Sequence, residues 1–271
     1  MTLIRVNLHP RIQAILNEYI TRMQQVLPLQ GLYIYGSIAL GDYSLELSDI
    51  DFIAVTEARL NSDCIHHVEQ VHRLIEKKYP KPNLNGIYVT GGDLGKLQDE
   101  IFPFPSYSDG KFTPAGYFEC NMVTWYELKE SGITILGPDA RDLAYTVDWN
   151  QLISLMHENL NTYWQRWIVQ SEKRLSLKSA ALYLLSSEVE WGVLGITRLF
   201  YTFREHQITS KVRAGEYALQ IVPERWHKIL QEARRVRKGA KKSLYSSKWQ
   251  RRSDTLDYMR YILQQANAMF E

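Results

Sequence analysis

Little in this sequence is extreme, and each shortage removes a class of protein. Two cysteines, Cys64 and Cys120, in 271 residues are too few for a disulfide scaffold, which points to a reducing compartment. No run reaches the ~18 consecutive apolar residues of a membrane span. The opening MTLIRVNLHPRIQAIL has no apolar leader segment, so a cytoplasmic location is expected. With 32 Lys+Arg against 30 Asp+Glu the formal net charge is +2, and bulk charge selects neither nucleic acid nor a membrane surface. There is no internal repeat and no low-complexity tract, which excludes solenoids and disordered tails. His66, His67 and His72 contain no i, i+4 pair, so a helical zinc site is not expected. What remains is 45% hydrophobic and 23% charged. At this length that composition fits two domains better than one.

The pattern changes character along the chain. Ile12, Ile15, Leu16, Tyr19, Ile20 and Met23 recur at helical spacing, one apolar face over 10–27. GLYIYG (31–36), IDFIAVT (50–56) and GIYVT (86–90) are short apolar runs bounded by glycine or polar residues and read as buried strands. A helix is expected over 61–78, stopped before Pro80 and Pro82. Residues 91–116 read as an irregular loop. TWYE (124–127) reads as a capping box opening a short helix, and GITILGP (132–138) as a last strand. After Pro138 strand patterns vanish. Helices are expected at 149–171, 177–205, 211–221, 223–239 and 253–270. The reading is α+β: a mixed-sheet domain over 1–148 and a helical bundle over 149–271.

The most informative stretch is YIYGSIALGDYSLELSDIDFIAV, residues 33–55. Gly36-Ser37 closes one apolar strand, and Asp49 and Asp51 open the next. Alternate residues of a strand share a face, so both carboxylates point the same way. Two carboxylates side by side repel and are costly to bury without a cation between them. Mg²⁺ suits the pair, since it takes one or two carboxylates and completes its shell with water and phosphate oxygens. A glycine at 36 lets backbone approach a ligand, and Ser37 can donate to phosphate. A lone Asp-x-Asp is usually an incidental strand end. Here the strand, the Gly-Ser step, the spacer, Ser48-Asp49-Ile50-Asp51 and a second strand occur together, a combination suited to metal-assisted nucleotidyl transfer.

This pattern resembles the nucleotidyltransferase superfamily with the polymerase-beta-like fold. The second half narrows the resemblance. WGVLGITRLFYTFREHQITSKVRAGEYALQIVPERWHKILQEARRVRKG, residues 191–239, is similar to the helical domain of bacterial streptomycin/spectinomycin-type aminoglycoside adenylyltransferases. The likeness spans nearly the whole chain and is poor over 95–120. It implies ATP as AMP donor, Mg²⁺ on Asp49 and Asp51, and nucleotide contacts from Gly36, Ser37 and Ser48. It further implies that Arg198 and Lys211 bind the ATP phosphates, where a leaving pyrophosphate needs cations. The acceptor would be a small, hydroxylated, cationic aminoglycoside or aminocyclitol, with Glu188 as its acidic contact and Glu190 assisting. Trp164, Trp167 and Trp191 are candidates for a pocket wall, although aromatics at helical spacing more often form core. A monomer is expected.

The sequence departs from that pattern in three places. The family's third carboxylate, which takes the acceptor proton, falls on Asn85, and an amide can orient a hydroxyl but not deprotonate it. Asp93 could substitute only if its loop folds back. Arg237 stands where the streptomycin enzymes place an aromatic on the nucleotide, and a guanidinium can also stack. Residues 175–187 diverge from the dual-specificity enzymes, which favours a spectinomycin-like acceptor. Two other readings follow: a nucleotide-binding homologue with weak or lost catalysis because of Asn85, or a nucleotidyltransferase acting on protein or RNA. The nine Lys/Arg of 234–252 support the last, although a charge run is usually a solvated face.

Overall fold

The computed structural model describes residues 8–44, 48–173 and 176–271. The stretch before Leu8, part of the spacer between Ser37 and Asp49, and residue 175 of the divergent 175–187 segment lie outside the described residues. The chain divides into two compact units, Met1–Val147 and Asp148–Glu271. The first is α+β and the second is helical throughout its described elements.

The first unit is built on a six-stranded sheet in the order β5-β4-β3-β2-β1-β6. The strands are β1 (Leu29–Tyr35), β2 (Ile50–Thr56), β3 (Leu84–Thr90), β4 (Phe104–Ser108), β5 (Lys111–Gly116) and β6 (Ile133–Leu136). β2 and β3 are parallel and the other neighbours antiparallel. A parallel pair needs a crossover, here α3 (Ser62–Lys78), capped by the Asn61 side chain. Both sheet faces are covered, which is why the central strands read as continuous apolar runs. On one face Ile34, Phe52 and Tyr88 join Leu16 and Tyr19 of α1 (Pro10–Met23) and Val68 of α3. On the other, Tyr33, Ile53 and Ile87 join Trp125 and Leu128 of α4 (Met122–Ser131). His72 belongs to the first face. Its Nε2 meets Tyr88 Oη at 2.6 Å, its ring stacks on Tyr107 at 4.1 Å, and burial pushes its pKa down to about 3. It is a neutral core residue.

Two expectations for this unit are corrected. Residues 91–116 hold the β4–β5 hairpin. Pro105 and Pro114 obscure its strands, and β5, which carries Pro114, is an edge strand where proline is tolerated. The turn is Asp109-Gly110, with φ of 50° and 75°, the strongest short hairpin signal. The α4 helix starts earlier than TWYE suggests, because Asn121 caps it by accepting from Thr124 N–H at 3.0 Å.

In the second unit, α8 (Ser186–Glu205) is surrounded by α9 (Lys211–Ile221), α10 (His227–Arg237) and α11 (Lys248–Asn267). The preceding helical stretch comprises α5 (Trp149–Asn159), a π-helical turn (Leu160–Trp164) and α6 (Gln165–Glu172). Gly195 makes room for a ring: a Cβ there would lie 2.3 Å from Trp164. The single helix expected over 177–205 is broken into α7 (Leu177–Leu184) and α8, with Leu185 extended at ψ 123°. A break strands carbonyls, and buried Arg251 answers it, donating to Tyr183 O at 3.0 Å and Ser186 Oγ at 2.9 Å. The last helix begins five residues before the expected 253, capped by Ser247. Its first turn is charged and carries no apolar period.

Gly195→Ala is expected to displace Trp164 and cost about 1–3 kcal/mol by overpacking. Urea unfolding measures this, and a midpoint equal to wild type would show that the contact yields freely.

Candidate active site

In the first unit, the site grows from strand register. Tyr35 pairs with Asp51 across β1–β2, and Asp51 pairs with Asn85 across β2–β3. The three therefore lie in one row on one face of the sheet. Asp49 precedes β2 by one residue and shares that parity. Immediately after Tyr35 the chain turns into the short helix α2 (Gly36–Ala39), with Gly36 at φ +66°. Any other residue there would be strained. It would also collide, since a Cβ on Gly36 would lie 2.6 Å from Asp51 Oδ2. Glycine thus serves both the turn and the carboxylate. Ser37 follows it at the start of α2. Ser48 is buried, and its Oγ accepts from Ser44 N–H at 3.0 Å, which ties the residue just before Asp49 to Ser44.

Charge around the row is acidic. Burial raises the Tyr35 phenol well above its ordinary value, and the carboxylates of Glu119, Asp51 and Glu127 add to this. Tyr43 is pushed up to about 12 by desolvation, aided by Asp49 and opposed by Arg11. Glu119 and Glu127 are neighbours the sequence did not reveal. They lie some seventy residues from Asp51, and only the sheet brings them to Tyr35. Among the described residues no group of three or more His, Cys, Asp or Glu forms a ready metal cage. A pair of carboxylates is nevertheless a donor set that fits Mg²⁺, which takes its other ligands from water and phosphate.

Asn85 is buried, and its Oδ1 accepts from Asp109 N–H at 3.1 Å in the β4–β5 turn. The amide is thereby fixed beside Asp51 and supports the hairpin. Asp93 lies beyond the opposite end of β3. One oxygen meets Arg59 at 2.6 Å and the other accepts from Thr90 N–H and Oγ at 2.7 Å. Its loop does not fold back towards Asn85, and its carboxylate closes a capping box on Thr90, the N-cap of a single 3-10 turn.

In the helical unit, Lys211 opens α9 and its ammonium lies 3.1 Å from Glu190 Oε1. The same ammonium sits 4.7 Å above the Trp191 ring. Burial lowers the Lys211 pKa, Glu190 draws it back up, and the charges of Arg237 and Arg198 push it down. Arg198, Lys211 and Arg237, from α8, α9 and the end of α10, thus share one electrostatic neighbourhood with Glu190. Glu188 is directed elsewhere and pairs with Lys178 at 2.7 Å. Trp164 and Trp167 are core. Trp191 is 46% exposed and donates from Nε1 to Tyr163 Oη at 3.2 Å. Tyr163 was not foreseen; the π-helical turn that sets it is invisible in a helical periodicity. Much of the 234–252 basic run is internal. Arg234 pairs with Glu216 and Arg235 with the fully buried Glu232, while Arg251 and Arg252 donate to backbone carbonyls.

Residues 168–265 match the family model described as aminoglycoside adenylyltransferase, C-terminal domain. No curated protein matches the sequence. Among solved structures, the chain is similar to the spectinomycin adenyltransferase AAD(9) from Enterococcus faecialis, determined with ATP and spectinomycin. The TM-score is 0.67 at 16% identity, over 93% of this chain and 98% of that one.

Gly36→Ala is expected to displace the Asp51 carboxylate and reduce Mg·ATP affinity at least tenfold, about 1.4 kcal/mol, with the protein still folded. Calorimetry together with circular dichroism separates these effects; unchanged affinity would mean that Asp51 does not serve the nucleotide.

Proposed function

We propose that this chain, whose residues 168–265 match the C-terminal domain model of the aminoglycoside adenylyltransferases, transfers AMP from ATP to a hydroxyl of a spectinomycin-like aminocyclitol. The observation that carries the reading is the shared neighbourhood of Arg198, Lys211 and Arg237. Lys211, paired with Glu190 and within electrostatic reach of Arg198 and Arg237, is a cationic arrangement suited to polyphosphate. The family match includes all three residues, and the similar AAD(9) structure holds ATP and spectinomycin.

The chemistry assigns a task to each residue. The acceptor oxygen attacks the α-phosphorus, the bond from that phosphorus to the β-bridging oxygen breaks, and pyrophosphate leaves. Negative charge grows on the leaving group, and Arg198, Lys211 and Arg237 counter it. Ser37 and Ser48 orient the nucleotide beside Asp49 and Asp51. Mg²⁺ held by those two carboxylates would neutralise phosphate charge during transfer. Glu188, partly exposed beside Lys178, offers negative charge to a cationic acceptor. Asn85 holds the acceptor hydroxyl rather than deprotonating it, so transfer is slow relative to nucleotide binding, or the proton leaves through a neighbouring carboxylate.

The direct test incubates the protein with Mg²⁺, ATP and a panel of aminoglycosides and aminocyclitols, followed by mass spectrometry. A gain of one AMP on spectinomycin is expected. ATP binding with no adduct on any panel member would instead support a nucleotide-binding protein without this activity. Asp49→Ala and Asp51→Ala are each expected to abolish Mg·ATP binding while retaining the fold; turnover unchanged in both would refute the metal assignment.

Asn85→Asp separates the two routes for the proton. The aspartate is nearly isosteric and can still accept from Asp109 N–H. A base at this position is worth typically ~10²–10⁴-fold. Single-turnover transfer should accelerate by at least about tenfold, with ATP affinity no tighter. No acceleration would place the base elsewhere.

A further inference from the structure

We infer that Glu190 is an internal counterion of the phosphate-binding cations, which competes with polyphosphate for Lys211 and speeds its release, rather than an acceptor ligand. The inference rests on the reading of Arg198, Lys211 and Arg237 as the phosphate site.

The geometry supports it in three steps. Lys211 is confined: its side chain is 15% exposed, and Glu190, at 11%, lies 3.1 Å away. The Trp191 ring covers the ammonium from a second direction at 4.7 Å, a cation–π contact that also keeps water off. Arg237 and Arg198 act on the same ammonium as like charges. Three cations in a partly desolvated site repel one another, and burying them without a counterion is costly. Glu190 is the carboxylate in contact with Lys211, so it holds the cluster together while no anion is bound.

The balance reverses when a polyphosphate arrives. The ligand then supplies the neutralising charge, and the Glu190 carboxylate becomes a like charge beside it. An acid in this position favours the empty site over the filled one. For a transferase that must discharge pyrophosphate after each turnover, this exchange limits product retention. Glu188, only two residues away, shows the contrast: its partner Lys178 lies over Trp167 and is no part of the cation cluster.

The test uses the full chain, calorimetry with inorganic pyrophosphate and Mg²⁺, and thermal melting. Glu190→Gln is expected to lower the melting temperature without ligand and to tighten pyrophosphate by about fivefold or more. Spectinomycin affinity should stay unchanged. In a Lys211→Gln background the tightening should disappear, because the pair acts as a unit. If Glu190→Gln does not fold, Glu190→Asp carries the test: its shorter reach loosens the pair, and a smaller tightening of the same sign is expected. Unchanged or weaker pyrophosphate binding in the folded variant overturns the inference. So does a loss of spectinomycin binding with pyrophosphate affinity intact, which would make Glu190 an acceptor ligand. If wild type binds neither pyrophosphate nor ATP, the phosphate reading itself fails along with the inference.

Discussion

The close approach of Asp51 to the bare Cα of Gly36 shapes the first unit's candidate site. A carboxylate at the mouth of a sheet needs space on its flank, and the neighbouring strand normally fills that space with a side chain. Here β1 ends at the register position of Asp51, and its next residue has no Cβ. The strained φ that glycine accepts there also turns the chain into α2 and carries Ser37 past the carboxylate. One residue type therefore solves a steric, a conformational and a positional problem at once. The row Tyr35–Asp51–Asn85 follows from the same register, because a slip of one residue on β2 would send Asp51 into the apolar face that holds Phe52.

The helical unit meets the opposite electrostatic problem. The residues proposed to bind phosphate there are cations, and they come from three separate helices. The candidate metal ligands of the first unit are acids and the candidate phosphate ligands of the second are cations, and each group has local means to tolerate its charge. The acids at the sheet are partly exposed and lie near hydroxyl groups. Among the cations, Lys211 keeps the Glu190 carboxylate in contact. The basic run at 234–252 shows the same economy. Arginines that look like a nucleic-acid surface in one dimension are occupied by Glu216, the buried Glu232 and helix-end carbonyls in three.

Legibility tracked the range of the interactions. Strands β1, β2 and β3 were evident from their apolar runs, and the Gly-Ser and Asp-x-Asp steps from their position at strand ends. Arg198, Lys211 and Arg237 came from resemblance, since nothing in a helical period distinguishes a phosphate ligand from a solvated charge. The β4–β5 hairpin was missed although Asp109-Gly110 announces it, because three nearby prolines argue for a loop. The α7–α8 break was missed because the residue that satisfies it, Arg251, lies more than sixty residues away. Glu119 and Glu127 near Tyr35, and the Glu190–Lys211 pair, were equally out of reach. Each depends on tertiary placement that no local pattern encodes.

The Arg251 side chain has a consequence for how the protein is made. It closes the gap between α7 and α8, yet it belongs to α11, whose Tyr258, Met259 and Ile262 also complete the packing around α8. During synthesis, α8 therefore leaves the ribosome well before the residues that settle its first turn and cover its apolar side. The sheet unit forms a compact cluster within Met1–Val147, and domains generally fold as units, N-terminal first, during synthesis. The helical unit must wait for nearly the last of its sequence, and in that interval the Tyr183 carbonyl and the flank of α8 stay exposed to chaperones and proteases alike.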